Sequence, residues 1–180
     1  MEIYSDEQLM VKVKNGKLEM LTPLFDRYHK RLYNFFLKLT FSQDVSKDLV
    51  QNVFYRIIKY RKTYNAEYKF KTWMYQLARN IFSDHYRGQK AKFSDYSDVA
   101  NIQVEDTDAV ESIVKREKEK ALHEALSRLP QEKREVLILS RFQGLKYDEI
   151  GKILNCSEGA VKVKVHRAIK HLKDAYFEIY

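Results

Sequence analysis

Apolar residues recur at spacings of three and four along most of the chain, which is the period of an α-helix with one buried face. Four helices are predicted in the N-terminal half. The first opens at the capping box Ser5–Gln8 and closes at Gly16, and the others are expected at about 18–41, 42–60 and 70–88. Their expected inward positions are Leu21, Leu24, Phe25, Tyr28, Leu32, Phe35, Phe36 and Leu39; then Leu49, Val50, Val53, Phe54, Ile57 and Ile58; then Trp73, Met74, Leu77, Ala78, Ile81 and Phe82.

Near the C-terminus the pattern predicts two helices separated by a three-residue turn. The run LKYDEIGKIL, 145–154, has one apolar side and acids near its start. Asn155 tolerates the left-handed backbone that ends a helix, and the Ser157 hydroxyl can cap the helix that follows. Gly151 lies where the two helices must approach closely. These features predict a helix-turn-helix, whose second helix normally lies in the DNA major groove.

That second helix is amphipathic, with an apolar side and a basic side. Val161, Val165 and Leu172 share the apolar side. The opposite side carries Lys162, Val163, His166, Arg167, Lys170 and Lys173. A basic helix alone is a weak signal, because many solvated helices look the same. The helix and turn that precede it raise the specificity of the signal, and together they predict a DNA-recognition helix.

Composition indicates the fold class, and charge indicates the kind of partner. Only 5 Gly and 2 Pro occur among 180 residues, which favours an all-α fold, and the net charge of +8 favours a polyanionic partner. Residues 1–92 carry 18 Lys or Arg against 9 acids, and residues 115–180 carry 15 against 10, whereas residues 93–114 carry 6 acids and no Lys or Arg. We therefore predict two basic helical domains, 5–92 and 115–178, joined by an acidic linker.

Several classes of protein are disfavoured. No segment is apolar enough to span a bilayer, and the first ten residues, MEIYSDEQLM, lack the features of a secretory signal, so a cytoplasmic location without membrane insertion is expected. The single cysteine, Cys156, excludes an internal disulfide. The five histidines have no companions at metal-ligand spacing, and no nucleophile or glycine-rich phosphate loop is present. We expect no catalytic activity and neither metal nor cofactor.

The loop RKTYNAEYK, 61–69, interleaves cations with Tyr64, Asn65 and Tyr68. Cations that follow a phosphate backbone, together with aromatic faces, suit a loop that holds unstacked bases. A solvated connector whose tyrosines pack against the fold is the alternative, and the loop alone favours it. Trp73 lies on the same inner stripe as Leu77, so core packing is favoured over base stacking for its ring.

Three segments match a known family in order and spacing. DVSKDLVQNVFYRII, FKTWMYQLARNIFSDHYR and ALSRLPQEKREVLILSRFQGLKYDEIGKILNCSEGAVKVKVHRAIKHLK resemble regions 2 and 4 of the extracytoplasmic-function (ECF) group of bacterial RNA polymerase sigma factors. The resemblance covers nearly the whole chain except the acidic linker. It implies a protein that binds core RNA polymerase and directs promoter recognition and DNA opening, with an anti-sigma protein as a further partner.

The resemblance also implies three sets of site residues. One set docks on the clamp helices of the largest polymerase subunit: Asp48, Gln51, Asn52 and Arg56. A second set melts the minus-ten element and holds its single strand: Lys62, Tyr64, Asn65, Lys71, Gln76, Arg79, Asn80 and Arg87. The third reads the minus-thirty-five duplex, on a domain that also contacts the flap of the second-largest subunit: Ser157, Lys162, Val163, His166, Arg167 and Lys170.

The chain departs from the family pattern at three positions. Asn52 stands where relatives commonly have Glu, and Lys146 stands where they often have a capping Ser. Val163 replaces a polar reader, which favours contact with a thymine methyl group.

Two other functions remain open from the sequence. A stand-alone helix-turn-helix regulator would bind its operator tightly without polymerase. An RNA-binding adaptor would depend on salt-sensitive phosphate contacts.

Overall fold

The computed structural model describes residues 4–90 and 111–179, and within them every regular element is a helix, as the sequence predicts. The α-helices are α1 (Asp6–Lys14), α2 (Leu21–Thr40), α3 (Gln43–Tyr60), α4 (Phe70–Lys90), α5 (Glu111–Arg128), α6 (Gln131–Leu137), α7 (Tyr147–Leu154) and α8 (Glu158–Ile179). Short 3₁₀ turns occupy Leu18–Met20 and Arg61–Thr63, and a π-helical turn, Ile138–Phe142, continues α6.

Local side-chain bonds fix the ends of the first helices. The Ser5 hydroxyl accepts the Gln8 N–H at 3.2 Å and the Gln8 side chain accepts the Ser5 N–H at 2.8 Å, which confirms the predicted capping box. Ser42 caps α3 by accepting the Val45 N–H. Phe41, between α2 and α3, has a positive φ of 56°, an unusual conformation for a residue with a bulky side chain.

The inner faces of α2, α3 and α4 pack together much as predicted, and Leu24, Phe36 and Val53 are completely buried. Phe25 is the clear exception, because 41% of it is exposed and its ring stacks on His29 at 4.8 Å. Ile58 is only half-buried. Both lie at the margin of the apolar stripe, where the helical period alone does not separate core from surface.

The helix-turn-helix has the predicted geometry. Asn155 ends α7 in the left-handed conformation, with φ 54°, and the Ser157 hydroxyl accepts the Ala160 N–H at 3.2 Å. A Cβ added at Gly151 would lie 2.6 Å from the Cys156 carbonyl oxygen, so a larger residue there would force the backbone to shift. Lys146 supplies no capping side chain at the start of α7, but Glu149 accepts the Lys146 N–H at 2.8 Å.

The predicted acidic linker, 93–114, lies outside the described residues except for its last four positions. Those four begin α5, which starts at Glu111 rather than near residue 115.

The N-terminal helices α1–α4 and the C-terminal helices α5–α8 pack against each other. Helix α4 lies along α7, and α2 contacts both α6 and the π-helical turn. One continuous apolar core contains side chains from both sets of helices. This packing decides which of the predicted site residues are accessible.

Candidate nucleic-acid interface

The outward face of α3 is available to a partner. Asp48 and Gln51 are exposed, and Asn52 is half-exposed beside them. Arg56 is less available to a partner, because its guanidinium donates a hydrogen bond to the Asp84 carboxylate of α4 at 3.2 Å. The four residues predicted for polymerase docking therefore share one surface, with Arg56 at its edge.

Tyr64 does not lie on the DNA-facing surface. Its ring has no exposed area, packs against Trp73 at 5.2 Å, and its hydroxyl donates to the Tyr68 carbonyl at 2.9 Å. Burial, helped by the charge of Glu7, raises its pKa to about 12. The structure corrects the expectation for Tyr64, because a ring without exposed surface cannot stack on a base. Trp73 packs against the core, as predicted.

The exposed part of the 61–69 loop is formed by residues close to Tyr64 in the chain. Tyr68 is 55% exposed, and Lys62 and Asn65 are exposed as well. The Asn65 side chain bonds Glu67 twice, accepting its N–H at 3.0 Å and donating to its carboxylate at 3.1 Å, which holds the tip of the loop in a tight turn.

Three predicted minus-ten residues on α4 are half-buried and contact the C-terminal half of the chain. The Lys71 ammonium donates to the Gln143 carbonyl at 2.9 Å, and the Gln76 amide donates to the Lys152 carbonyl at 3.1 Å. The Arg79 Nε lies 3.1 Å from the Glu135 carboxylate. The side of α4 that is predicted to bind DNA is thus largely a contact surface between the two halves of the chain.

The last two predicted minus-ten residues remain accessible. Asn80 and Arg87 are exposed, and together with Arg79 they line an open cleft of about 380 Å³ between α4 and Gln131 at the start of α6. Arg87 also pairs with Asp84 at 3.1 Å within its own helix.

Burial and charge set the ionisation of the groups between the halves. Burial raises the pKa of Glu135, and the nearby Arg79 only partly opposes this. Burial would also raise the pKa of Glu149, but hydrogen bonds from the Lys146 N–H and the Lys69 ammonium outweigh it and hold that pKa below its usual value. Burial lowers the pKa of Lys71, and the charge of Arg31 adds to this.

The sequence-based reasoning missed the residues at the centre of this contact. Tyr75 is completely buried although it lies off the apolar stripe of α4, and its hydroxyl donates to the Gln143 side chain at 2.6 Å. Glu135 and Glu149 are buried acids on otherwise apolar helix faces. A carboxylate inside the apolar run EVLIL, 135–139, is the one sequence signal of a buried polar contact.

The predicted reading face of α8 is exposed. Lys162, His166 and Arg167 are exposed on one side of the helix, whereas Val161 and Val165 are buried on the other. Val163 is 48% exposed, a large fraction for an apolar side chain. Ser157 and Lys170 are also exposed, so all six residues predicted for duplex recognition lie at the surface of the motif.

Neither a metal cluster nor a membrane span is found within residues 4–90 and 111–179. No group of three or more His, Cys, Asp or Glu side chains is placed there to hold a metal ion. None of the helices in these ranges is long and apolar enough to cross a bilayer.

Comparison with known proteins identifies both halves. Sigma-70 region 2 matches residues 24–92, and sigma-70 region 4 matches residues 119–172. The ECF RNA polymerase sigma factor SigM of Bacillus subtilis (strain 168) is 31% identical over 154 residues, covering 85% of this chain and 93% of the relative. The RNA polymerase sigma factor YlaC of the same organism is 29% identical over 157 residues, covering 86% and 91%.

A solved structure has the same fold. The sigma factor RpoE from Bartonella quintana, determined in complex with the anti-sigma factor NepR, superposes with a TM-score of 0.69 at 21% identity, covering 86% of this chain and 95% of that one.

The presence of both regions in one chain defines a protein of the sigma-70 type. The chain belongs to the ECF RNA polymerase sigma factors, which confirms the resemblance. Proteins of this family are initiation factors.

Proposed function

We propose that this protein binds bacterial core RNA polymerase and directs promoter recognition and DNA opening at the start of transcription. The observation that carries this proposal is the presence, in one chain, of sigma-70 region 2 and region 4 with an exposed basic reading helix. A helix-turn-helix alone would fit many regulators, whereas its combination with region 2 is specific to initiation factors.

The face of α3 is the proposed docking surface for the clamp helices of the largest polymerase subunit. Asp48, Gln51 and Asn52 would make the contact, with Arg56 at the edge. The neutral amide of Asn52 would form a weaker electrostatic contact than the Glu that relatives commonly place there. Region 4 would contact the flap of the second-largest subunit.

The loop after α3 and the outer side of α4 are the proposed minus-ten interface. Extracting a base costs a few kcal/mol of unstacking, which contacts in a pocket must recover. The candidates, without Tyr64, are Lys62, Asn65, Lys71, Gln76, Arg79, Asn80 and Arg87. Tyr68 replaces Tyr64 as the exposed ring in this loop.

Helix α8 is the proposed reader of the minus-thirty-five duplex. Arg167 and Lys162 suit bidentate or single contacts with guanine, each good pair contributing about 1–3 kcal/mol of discrimination. The exposed Val163 suits a thymine methyl group.

The remaining parts of the proposal concern control and location. An anti-sigma protein is the expected inhibitor, and the solved relative carries one. We place the protein in the bacterial cytoplasm, with neither catalytic activity nor a cofactor of its own.

Start-site mapping tests the proposal directly. Purified core polymerase is incubated with a genomic DNA library, with and without this protein, and transcripts are mapped. Protein-dependent starts that share two short elements at a fixed spacing support the proposal. The absence of new starts, with tight duplex binding by the protein alone, would indicate a stand-alone regulator.

Two substitutions separate the proposed interfaces. Gln51→Ala on α3 should weaken polymerase binding and leave the contact with minus-thirty-five duplex intact. Arg167→Ala on α8 should do the reverse, with a loss of about 1–3 kcal/mol in duplex recognition. Equal losses of both activities in both variants would contradict the assignment of these faces.

A further inference from the structure

Helix α1 contacts the 61–69 loop, which belongs to the proposed minus-ten interface. We propose that α1 holds this loop in place, and that Glu7 and Lys14 are the residues that position it for capture of the single strand. The inference rests on the proposed minus-ten role of the loop. The match to sigma-70 region 2 begins at residue 24, so it assigns no role to α1, which ends at Lys14.

The exposed tip of the loop lies between two buried residues. Residues 65–69 are exposed, whereas Tyr64 before them and Phe70 after them have no exposed area. An exposed segment with few buried contacts opens easily, so the position of the tip depends on how its two flanking residues are held. Both of these residues are bonded to α1.

Lys14 holds the residue before the tip. Its ammonium donates a hydrogen bond to the Tyr64 carbonyl oxygen at 2.7 Å, between residues 50 positions apart in the chain. A hydrogen bond from a charged donor is stronger than one between neutral groups. The Tyr64 hydroxyl bonds the Tyr68 carbonyl oxygen at 2.9 Å, so the position of Tyr64 also sets the position of the exposed Tyr68.

Glu7 holds the residue after the tip. Its carboxylate accepts the Phe70 N–H at 3.1 Å, and Phe70 begins α4, where the N–H groups have no partner within the helix. Lys69, the residue before α4, has no acceptor atom in its side chain and cannot cap the helix. Glu7 therefore caps α4 from a different helix, and its negative charge suits the positive end of the α4 dipole.

Helix α1 is itself fixed to the core and to α2. Met10 and Val13 are completely buried. At the start of α1, the Asp6 carboxylate accepts hydrogen bonds from the Arg27 guanidinium, at 2.6 Å, and from the Tyr28 hydroxyl. Because both partners of Asp6 lie on α2, the loop is bonded to a helix that cannot move independently of the bundle.

A loop that is held on both sides of its tip loses less conformational entropy when it binds a strand. The exposed Asn65 and Tyr68 are then presented in one arrangement before the DNA arrives. In this role Glu7 and Lys14 contact no base or phosphate. They act through the backbone of the loop and are positioning residues.

Two substitutions each remove one of the bonds from α1. Glu7→Ala removes the acceptor for the Phe70 N–H, and Lys14→Met removes the donor to Tyr64. Glu7→Gln is the conservative variant, because its side-chain oxygen can still accept the same N–H. The matched controls are Glu19→Ala and Lys17→Met, which remove the same charges from exposed positions. Circular dichroism confirms that each variant is folded.

Amide hydrogen exchange in the free protein is the first measurement. The Phe70 N–H bonds Glu7, and the Tyr68 N–H bonds the Asn65 carbonyl within the tip at 3.1 Å. In Glu7→Ala and Lys14→Met these amides should exchange about tenfold faster than in the matched controls, since the loop opens more often. The amide of the buried Val53 should keep its rate.

Strand binding by the assembled holoenzyme is the second measurement. Core polymerase with each variant is titrated with a fluorescent single-stranded oligonucleotide that carries the minus-ten element found by start-site mapping. Glu7→Ala and Lys14→Met should each weaken this binding about tenfold, whereas Glu7→Gln should bind nearly as well as the unchanged protein. The affinity for core polymerase should stay the same, because the docking face on α3 is unchanged.

The pair of substitutions separates positioning from a general effect of charge. Glu7→Ala makes the protein more basic and Lys14→Met makes it less basic, so charge alone would change strand binding in opposite directions. Loss of the loop position weakens binding in both variants. The salt dependence of binding should also be unchanged in Lys14→Met, because loss of a direct phosphate contact would lower its slope by about 0.7.

Four results would overturn the inference. They are unchanged exchange of the loop amides, opposite changes in strand binding by Glu7→Ala and Lys14→Met, a lower salt slope in Lys14→Met, or a loss in Glu7→Gln as large as in Glu7→Ala. The exchange measurement needs neither polymerase nor DNA. Faster loop exchange in a protein that gives no starts would refute the proposed function and leave the attachment of the loop to α1 standing.

Discussion

The Tyr75 hydroxyl donates a 2.6 Å hydrogen bond to the side-chain oxygen of Gln143, and both residues are buried between region 2 and region 4. Gln143 follows the π-helical turn, and its backbone carbonyl accepts Lys71 at the same point. One residue of region 4 thus engages two side chains of α4. This pairing ties the accessibility of α4, the helix proposed to bind the minus-ten strand, to the position of the other domain.

Removal of the Tyr75 hydroxyl should loosen the closed state, the arrangement in which α4 packs on region 4, relative to an open state in which the two halves are separated. Tyr75→Phe leaves the ring in place but deprives the buried Gln143 oxygen of its donor, at a cost of about 1–3 kcal/mol. Spin labels at Lys30→Cys on α2 and Lys173→Cys on α8, two exposed positions, in a Cys156→Ser background should report a larger fraction of long distances. Tyr55→Phe, at a position that is 62% exposed on α3, is the control and should change nothing. A closed fraction equal in both variants would mean that the bond does not support closure.

Tyr64 and Tyr68 should differ in their contribution to the stability of the fold. Tyr64→Ala empties a fully buried site beside Trp73 and should lower the free energy of unfolding by about 3–5 kcal/mol. Tyr68→Ala, at an exposed ring, should change it by no more than about 0.5 kcal/mol. Urea unfolding followed by circular dichroism measures both. A stable Tyr64→Ala variant would restore that ring as a candidate for DNA contact.

Gly151 should be the glycine on which the helix-turn-helix depends. Gly151→Ala places a Cβ 2.6 Å from the Cys156 carbonyl oxygen, and the forced shift should cost about 1–3 kcal/mol. Gly159→Ala, in α8, has nothing within 4 Å of the added carbon and should be neutral or stabilising by up to about 1 kcal/mol. Urea denaturation of the two variants provides the comparison, and equal stabilities would argue against the close approach.

Closure should weaken as the pH falls below about 6.5, because His123 on α5 is held neutral in the closed state. Its ring meets Phe41 of α2 at 4.6 Å, and its Nε2 is buried without a hydrogen-bond partner. Burial, and then the charges of Lys38 and Arg134, lower the pKa of His123 below its ordinary value of 6.5. The open state therefore binds more protons in mild acid, and the equilibrium shifts towards it.

The spin-label distance measured from roughly pH 7.5 to 5.5 tests this shift. His123→Gln should flatten the response, and His85→Gln, on α4, should keep it. Glu119 on α5 interacts with Lys38, so it offsets part of the positive charge near the histidine. The raised pKa of Glu135 acts in the opposite direction, since protonation favours its buried state, and the comparison of the two histidine variants removes that contribution. An unchanged response in His123→Gln would assign the effect to other groups.

Much of the fold was predictable because its signals are local. The capping box at Ser5, the left-handed Asn155 and the close approach at Gly151 each depend on a few neighbouring residues, and all three were confirmed. The exposed basic side of α8 follows from helical period in the same way.

The errors have a common physical cause. The family resemblance placed Tyr64 in the minus-ten interface although the loop alone favoured packing against the fold, and the loop does fold the Tyr64 ring inward against Trp73. Tyr75 lies off the predicted apolar stripe of α4, yet it is buried between Phe35 of α2 and Gln143 of the C-terminal half. Helical period describes one helix and its nearest core, and contains no information about a partner many residues away.

By itself the sequence determined the helices, their caps, the helix-turn-helix and the match to sigma-70 regions 2 and 4, because each depends on short-range spacing. Only the tertiary structure decided that Lys71, Gln76 and Arg79 are bonded to region 4 while Asp48 and Gln51 stay exposed. The reason is that access to a side chain depends on how distant segments pack. That packing is stabilised mainly by the apolar core that the two halves share, while buried contacts such as Tyr75 with Gln143 fix its arrangement.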